Sequence, residues 1–174
     1  MKNNRCFSVL ISFLLSLAII SGAFFVSADT VNNTSLSSSD YTISDGYIYI
    51  HTPGKSVSDV LDAIGNNAVI YNLQNKAVSA GIVGTGMRAV TTVDNITSNS
   101  SLIVVNYDLD GDGTVNATDI SLLKRNLLGT DTLNLAQQKA ITGDSSDAID
   151  IRDLIRIKKY LADPATPMYL NYSN

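Results

Sequence analysis

The chain reads as an α+β protein: a small β-rich N-terminal module followed by an all-α domain of paired loop-helix units. Three observations carry this. Between Tyr41 and Asn106, short β-branched or aromatic runs are broken by Gly, Asn and one Pro, the punctuation of strands and turns. The stretch YDLDGDGTVNATDISLLKR, Tyr107 to Arg125, then crowds carboxylates at every second position and runs into an apolar, helix-patterned segment. A shift of 34 residues lays Asp110 on Asp144, Asn116 on Asp150 and Asp119 on Asp153, so the loop and its helix occur twice.

Residues 1–28 read as a signal peptide. Lys2 and Arg5 form a basic start, Phe7 to Phe25 is almost unbroken apolar sequence, and Val26-Ser27-Ala28 supplies the small residues of a cleavage site. The run is nearly long enough to span a membrane, but its basic start and short end favour export with cleavage after Ala28. The mature protein is therefore expected to be secreted and extracellular, with no membrane contact. Cys6 leaves with the leader, so no disulfide is available, and small secreted domains without disulfides often lean on a metal or a partner.

Of the 12 basic residues, Lys2 and Arg5 are removed, leaving ten against sixteen acids and a net charge of −6, which excludes nucleic acid as the expected partner. Every acid is Asp, and ten of the sixteen lie between Asp108 and Asp163. Asp favours loops and caps over helix interiors, so the acidic chemistry is expected in loops of the C-terminal third. Residues 29–40, rich in Ser, Asn and Thr, read as a flexible tail, and 164–174 as a C-terminal tail.

Within 41–106, GYIYIH reads as a strand and Pro53-Gly54 as a turn. Ser56 can cap a helix with Asp59 in capping-box position, Val57, Val60, Leu61 and Ile64 share a face, and Gly65 stops it. AVIYN, KAVSAGIV, GMRAVTTV and SLIVVNY follow as strand candidates, with Gly84 and Gly86 marking a tight turn or bulge. No catalytic arrangement emerges, so the protein is not expected to be an enzyme. His51 is the single histidine, Asp59 serves as a cap partner beside a solvated Asp62, and GTGMR lacks the lysine and context of a phosphate cradle.

Asp108, Asp110 and Asp112 occupy positions 1, 3 and 5 of a twelve-residue loop, with Gly113 at 6, Thr114 at 7, Asn116 at 9 and Asp119 at 12. This is the EF-hand-type spacing for a hard cation. Three short carboxylates on a curled loop supply oxygens from one side. Thr114 offers its backbone carbonyl, Asn116 acts directly or through water, Asp119 closes the far side, and a calcium ion offsets the repulsion among the acids. Beyond the loop, Ile120, Leu122, Leu123, Leu127 and Leu128 form an apolar face stopped by Gly129, with Lys124 and Arg125 near the helix C-terminus, where positive charge complements the dipole.

In the second copy the candidate ligands are Asp144, Ser146, Ala148, Asp150 and Asp153. Thr142 stands where the first loop has Asp108, Ser146 replaces a carboxylate and Asp147 replaces the glycine. Binding there is expected to be far weaker than in the first loop, and its occupancy stays open. The second helix, IRDLIRIKKYLA, is expected to bury Ile151, Leu154, Ile155 and Leu161, and NLAQQKAIT to form a connecting helix. Two such units would pool their apolar stripes into one core.

A calcium loop followed by a single helix, repeated once and preceded by β-like SLIVVNY, resembles the dockerin family, from about Asn106 to Ala162 and including LLKRNLLG and IRIKKYL. The resemblance implies an all-α dockerin-like domain over 107–163 built of two F-hand units. It also implies attachment to a cohesin module of a scaffold protein, within cellulosome-type assemblies that degrade polysaccharides. By carry-over, Ala117 and Thr118, and Ile151 and Arg152, match the partner-discriminating pairs, while Lys124, Arg125, Lys158 and Lys159 match basic contact positions. The two pairs differ, which argues against two equivalent binding orientations. For 41–106 a carbohydrate-binding or structural role, with a glycan contact, is the alternative reading; a small polysaccharide-active hydrolase is a third.

Overall fold

The computed structural model describes residues 40–65, 67–93, 96–143 and 148–164. The expected signal peptide and most of both tails lie outside them. Among the described residues, no helix is long and apolar enough to cross a membrane.

Tyr41–Ser44 (β1) and Tyr47–Ile50 (β2) form an antiparallel hairpin. Asp45 and Gly46 make its turn, both with positive φ (50° and 80°), as a two-residue type I′ connection requires. Val57–Ile64 (α1) starts at Ser56, whose side chain accepts the Asp59 N–H while the Asp59 carboxylate accepts the Ser56 N–H. The expected capping box is thus present, and Gly65 closes the helix at φ 103°.

Ala68–Tyr71 (β3), Ala77–Val78 (β4), Arg88–Val93 (β5) and Ile96–Val105 (β6) complete a six-stranded sheet of order β1-β2-β6-β5-β3-β4. KAVSAGIV contributes only the two residues of β4. The pairing of β2 with β6 is parallel, with Tyr49 opposite Val104 and Ile50 opposite Val105. The other pairings are antiparallel.

Neither YIYI nor LIVV alternates with polar residues, and the sheet explains why. Ile48, Ile50, Ile103 and Val105 face one way, into a core with Val57 and Val60 of α1 and with Ile70 and Val83. Tyr49 and Val104 face the other way. They enter a second core with Tyr107, Leu109, Leu123, Leu133, Ala140, Ile141, Leu154 and Ile157. Strands buried on both faces lose the polar half of their pattern.

Three helices build that second core: Ala117–Leu127 (α2), Leu135–Thr142 (α3) and Ile151–Ala162 (α4). The expected connecting helix is α3, capped by Asn134. The expectation of an all-α C-terminal domain is overturned. The loop-helix stripes do pool, but onto the back of the sheet, because two helices and a connector leave an apolar surface that Tyr49 and Val104 close. All described residues fall within one compact unit, Asn33–Asn174.

The face of α4 also differs from expectation. Leu154 and Ile157 are buried, whereas Ile151 and Ile155 are 60% and 48% exposed and Leu161 is exposed as well. The helix carries two adjacent apolar stripes, and the second core takes the one that includes Ile157.

Candidate metal centre

The loop begins where β6 ends. Asp108 N–H returns to the Val105 carbonyl at 3.2 Å, a tight turn that puts Tyr107 at φ 59°. That conformation is costly for a bulky side chain. Tyr107 is held in it from two sides: its N–H donates to the Ala140 carbonyl of α3 at 2.8 Å, and its ring is buried in the second core. Burial pushes its hydroxyl up to about 12.

Asp108 is fully buried. Its Oδ1 accepts the Gly111 N–H at 2.8 Å, and its Oδ2 accepts those of Gly113 at 3.1 Å and Thr85 at 2.7 Å. Burial lifts its pKa to about 6, against the lowering effect of these three donors. Asp110 and Asp112 stand exposed beside it, and one carboxylate oxygen from each of the three residues lies within 4.8 Å of the others. Asp112 Oδ1 accepts both the N–H and the hydroxyl of Thr114 at 2.7 Å, and its Oδ2 accepts from Asn116 Nδ2 at 3.3 Å.

Asp119 and Asn116 are placed differently from that group. Asn116 is the N-cap of α2, accepting the Thr118 N–H at 2.7 Å. Asp119, buried in the first turn, accepts the Asn116 N–H with Oδ2 and the N–H groups of Leu109 and Asp110 with Oδ1, at 2.7, 2.7 and 3.2 Å. Burial raises its pKa. It ties the end of the loop to its beginning. The structure thus gathers Asp108, Asp110 and Asp112, while Thr114, Asn116 and Asp119 shape the loop around them. Three converging carboxylates, one of them buried among amide donors, suit a hard, oxygen-seeking cation of the calcium kind.

In the second loop, the described carboxylates pair with arginines. Asp144 and Ser146 lie outside the described residues, and Ala148 is exposed. Asp150, the N-cap of α4, is gripped by Arg152, with Nη2 at 2.7 Å and Nε at 2.9 Å from Oδ2. This contact holds its pKa below the usual carboxylate range. The buried Asp153 accepts the Asp150 N–H at 2.9 Å and pairs with Arg156 Nη1 at 2.8 Å. The carboxylates that match Asn116 and Asp119 therefore each meet a guanidinium.

The residues matched to partner contacts are at the surface. Ala117 and Thr118 form the exposed first turn of α2, and Ile151 and Arg152 that of α4. Lys124, Arg125, Lys158 and Lys159 are exposed toward the helix ends, with Arg125 paired to Asp131 at 3.1 Å.

The tight turn or bulge marked in the sequence by Gly84 and Gly86 packs against the loop. Gly84 lies so close to the loop that a Cβ there would collide with the Gly111 carbonyl, and Thr85 supplies the donor to Asp108. The signal was the closely spaced pair of glycines, which marks a close backbone approach as readily as a turn.

Fold and site together define a cation-loop module in which a carboxylate-lined loop leads into a helix fixed on a sheet. The family model for the type I dockerin domain matches residues 88–141. The chain therefore contains a dockerin domain. Domains of this family bind calcium and dock on cohesins in extracellular, cellulosome-type assemblies. The matched stretch starts in β5 and includes β6, so the dockerin region is not all-α as the sequence suggested. It contains the first loop with α2 and ends in α3, ahead of Asp150 and α4. Neither a curated protein nor a solved structure matches the chain.

Proposed function

We propose that this chain is a secreted calcium-binding adaptor, not an enzyme, that docks through its dockerin region onto a cohesin module of a scaffold protein serving polysaccharide degradation. The observation that carries the reading is the convergence of Asp108, Asp110 and Asp112 within 4.8 Å inside the matched stretch. Calcium bound there offsets the repulsion of the three carboxylates and fixes the entry of α2, on which Ala117, Thr118, Lys124 and Arg125 are exposed. Those residues, with Ile151, Arg152, Lys158 and Lys159 of α4, form the docking surface.

One ion is bound, in the first loop. The arginine pairings of Asp150 and Asp153 support this, since each guanidinium takes the place that a cation would fill beside its carboxylate. Calorimetric titration of the mature chain with calcium, followed by capture on immobilised cohesins with calcium or with chelator, tests the proposal. A single binding event and calcium-dependent retention are expected. Absence of calcium heat, or equal retention in chelator, would falsify it.

A further inference from the structure

We infer that the 82–86 turn of the β-rich module is the outer half of the calcium centre, with Thr85 and Gly84 as positioning residues for the loop. The inference rests on the calcium reading above and adds residues that lie outside the loop.

Three contacts carry it. The Thr85 N–H donates to Asp108 Oδ2 at 2.7 Å from 23 residues earlier in the chain. Thr85 is itself clamped to the last residue of β6, its hydroxyl accepting the Val105 N–H at 2.9 Å and donating to the Val105 carbonyl at 3.2 Å. The donor is thereby fixed to the strand from which the loop emerges. Secondly, the two backbones touch. A Cβ on Gly84 would strike the Gly111 carbonyl, and one on Gly111 would lie 2.7 Å from the Thr85 carbonyl. Thirdly, the loop's sharp turn at Gly113, φ 81°, is seated against the Val83 carbonyl and Ile82 Cγ2, and its own carbonyl accepts the Gly54 N–H at 2.8 Å.

The geometric consequence concerns the orientation of one carboxylate. Of the three N–H groups that fix Asp108, two belong to the loop itself, whereas Thr85 lies in the 82–86 turn, which its hydroxyl ties to Val105 of β6. Only the third orients Asp108 from outside the loop. Groups that orient a ligand from behind commonly change metal affinity by about 10- to 100-fold when they are lost.

The test uses the mature chain and calcium alone. Amide resonances are followed during a calcium titration, and calorimetry is run on wild type, Gly84→Ala and Thr85→Ser. The Thr85 amide is expected to shift over the same calcium range as those of Gly111 and Gly113. Gly84→Ala should bind roughly 10- to 100-fold more weakly, while Thr85→Ser, which keeps the N–H and hydroxyl, should bind like wild type. A Thr85 amide that stays still while Gly111 and Gly113 move, or wild-type affinity in Gly84→Ala, overturns the inference and leaves the calcium reading standing. A wild-type chain that binds no calcium overturns both. If Gly84→Ala does not fold, the resonance shifts in wild type decide.

Discussion

Thr85 and Asp108 are joined by a 2.7 Å hydrogen bond from a main-chain amide to a fully buried carboxylate. It places the first candidate ligand of the loop under the control of the 82–86 turn. An acidic surface loop would order its carboxylates only by local turns, as Asp112 does with Thr114. Here the carboxylate of position 1 is set by tertiary structure, and the exposed carboxylates of positions 3 and 5 gather around it.

Charge at the exposed ligands should therefore tune affinity without disturbing the fold. Asp110→Asn is expected to weaken calcium binding by at least about tenfold, since affinity follows ligand charge count. Calorimetry reads the loss, and an unchanged denaturation midpoint in chelator shows that the apo fold is intact.

Tyr107 should matter more for stability than its neighbours. It fills the second core and spans from β6 to α3 through its N–H. Tyr107→Ala is expected to cost about 3–5 kcal/mol, the range for deleting a buried large aromatic side chain. Urea denaturation in chelator measures it. A loss below about 1 kcal/mol would contradict the packing described.

Protons and calcium should compete at Asp108. Its carboxyl titrates near 6 in the folded metal-free chain against an ordinary value of 3.8, so between these values the folded state binds more protons than the unfolded. Stability of the metal-free protein is therefore highest below about pH 4 with respect to this group, and falls as pH rises through 6. Burial of Asp119 acts in the same direction. Denaturant midpoints in chelator from pH 4 to 8 should fall, and Asp108→Asn should flatten most of the slope. Calcium affinity should drop as pH falls below 6.

The second repeat gives a contrasting prediction. Arg156 compensates the buried Asp153, whereas Arg152 pairs with Asp150 in solvent. Arg156→Ala is expected to destabilise by about 1 kcal/mol, because the guanidinium is itself half exposed, and Arg152→Ala by less, because its pair with Asp150 is solvent-screened. Urea titration of the two variants checks the order. Calcium stoichiometry should stay at one in both.

Local signals in the sequence translated directly into structure. Ser56 and Asp59 form the capping box their spacing announced, Gly65 and Gly129 close helices, and positions 1, 3 and 5 of the loop converge. The Asp45-Gly46 turn was equally local but went unread, and with it β1. What could not be read were contacts between segments distant in the chain. Parallel pairing of β2 with β6 brings Tyr49 beside Val104, and only that register shows that both faces of the pair must be covered. The same dependence on a distant surface buries Ile157 and leaves Ile151 and Ile155 exposed. A helix pattern offers stripes, and the partner surface selects among them.

The parallel pairing of β2 with β6 also bears on how the chain folds. β6 can dock beside β2 only after the intervening chain has looped round, a slow, long-range closure, and Asp108 follows directly from that strand. A cation site that follows directly from β6 is therefore expected to form late in folding. Calcium arriving at this stage holds a finished structure shut: it should slow unfolding in stopped-flow experiments and leave the refolding rate nearly unchanged.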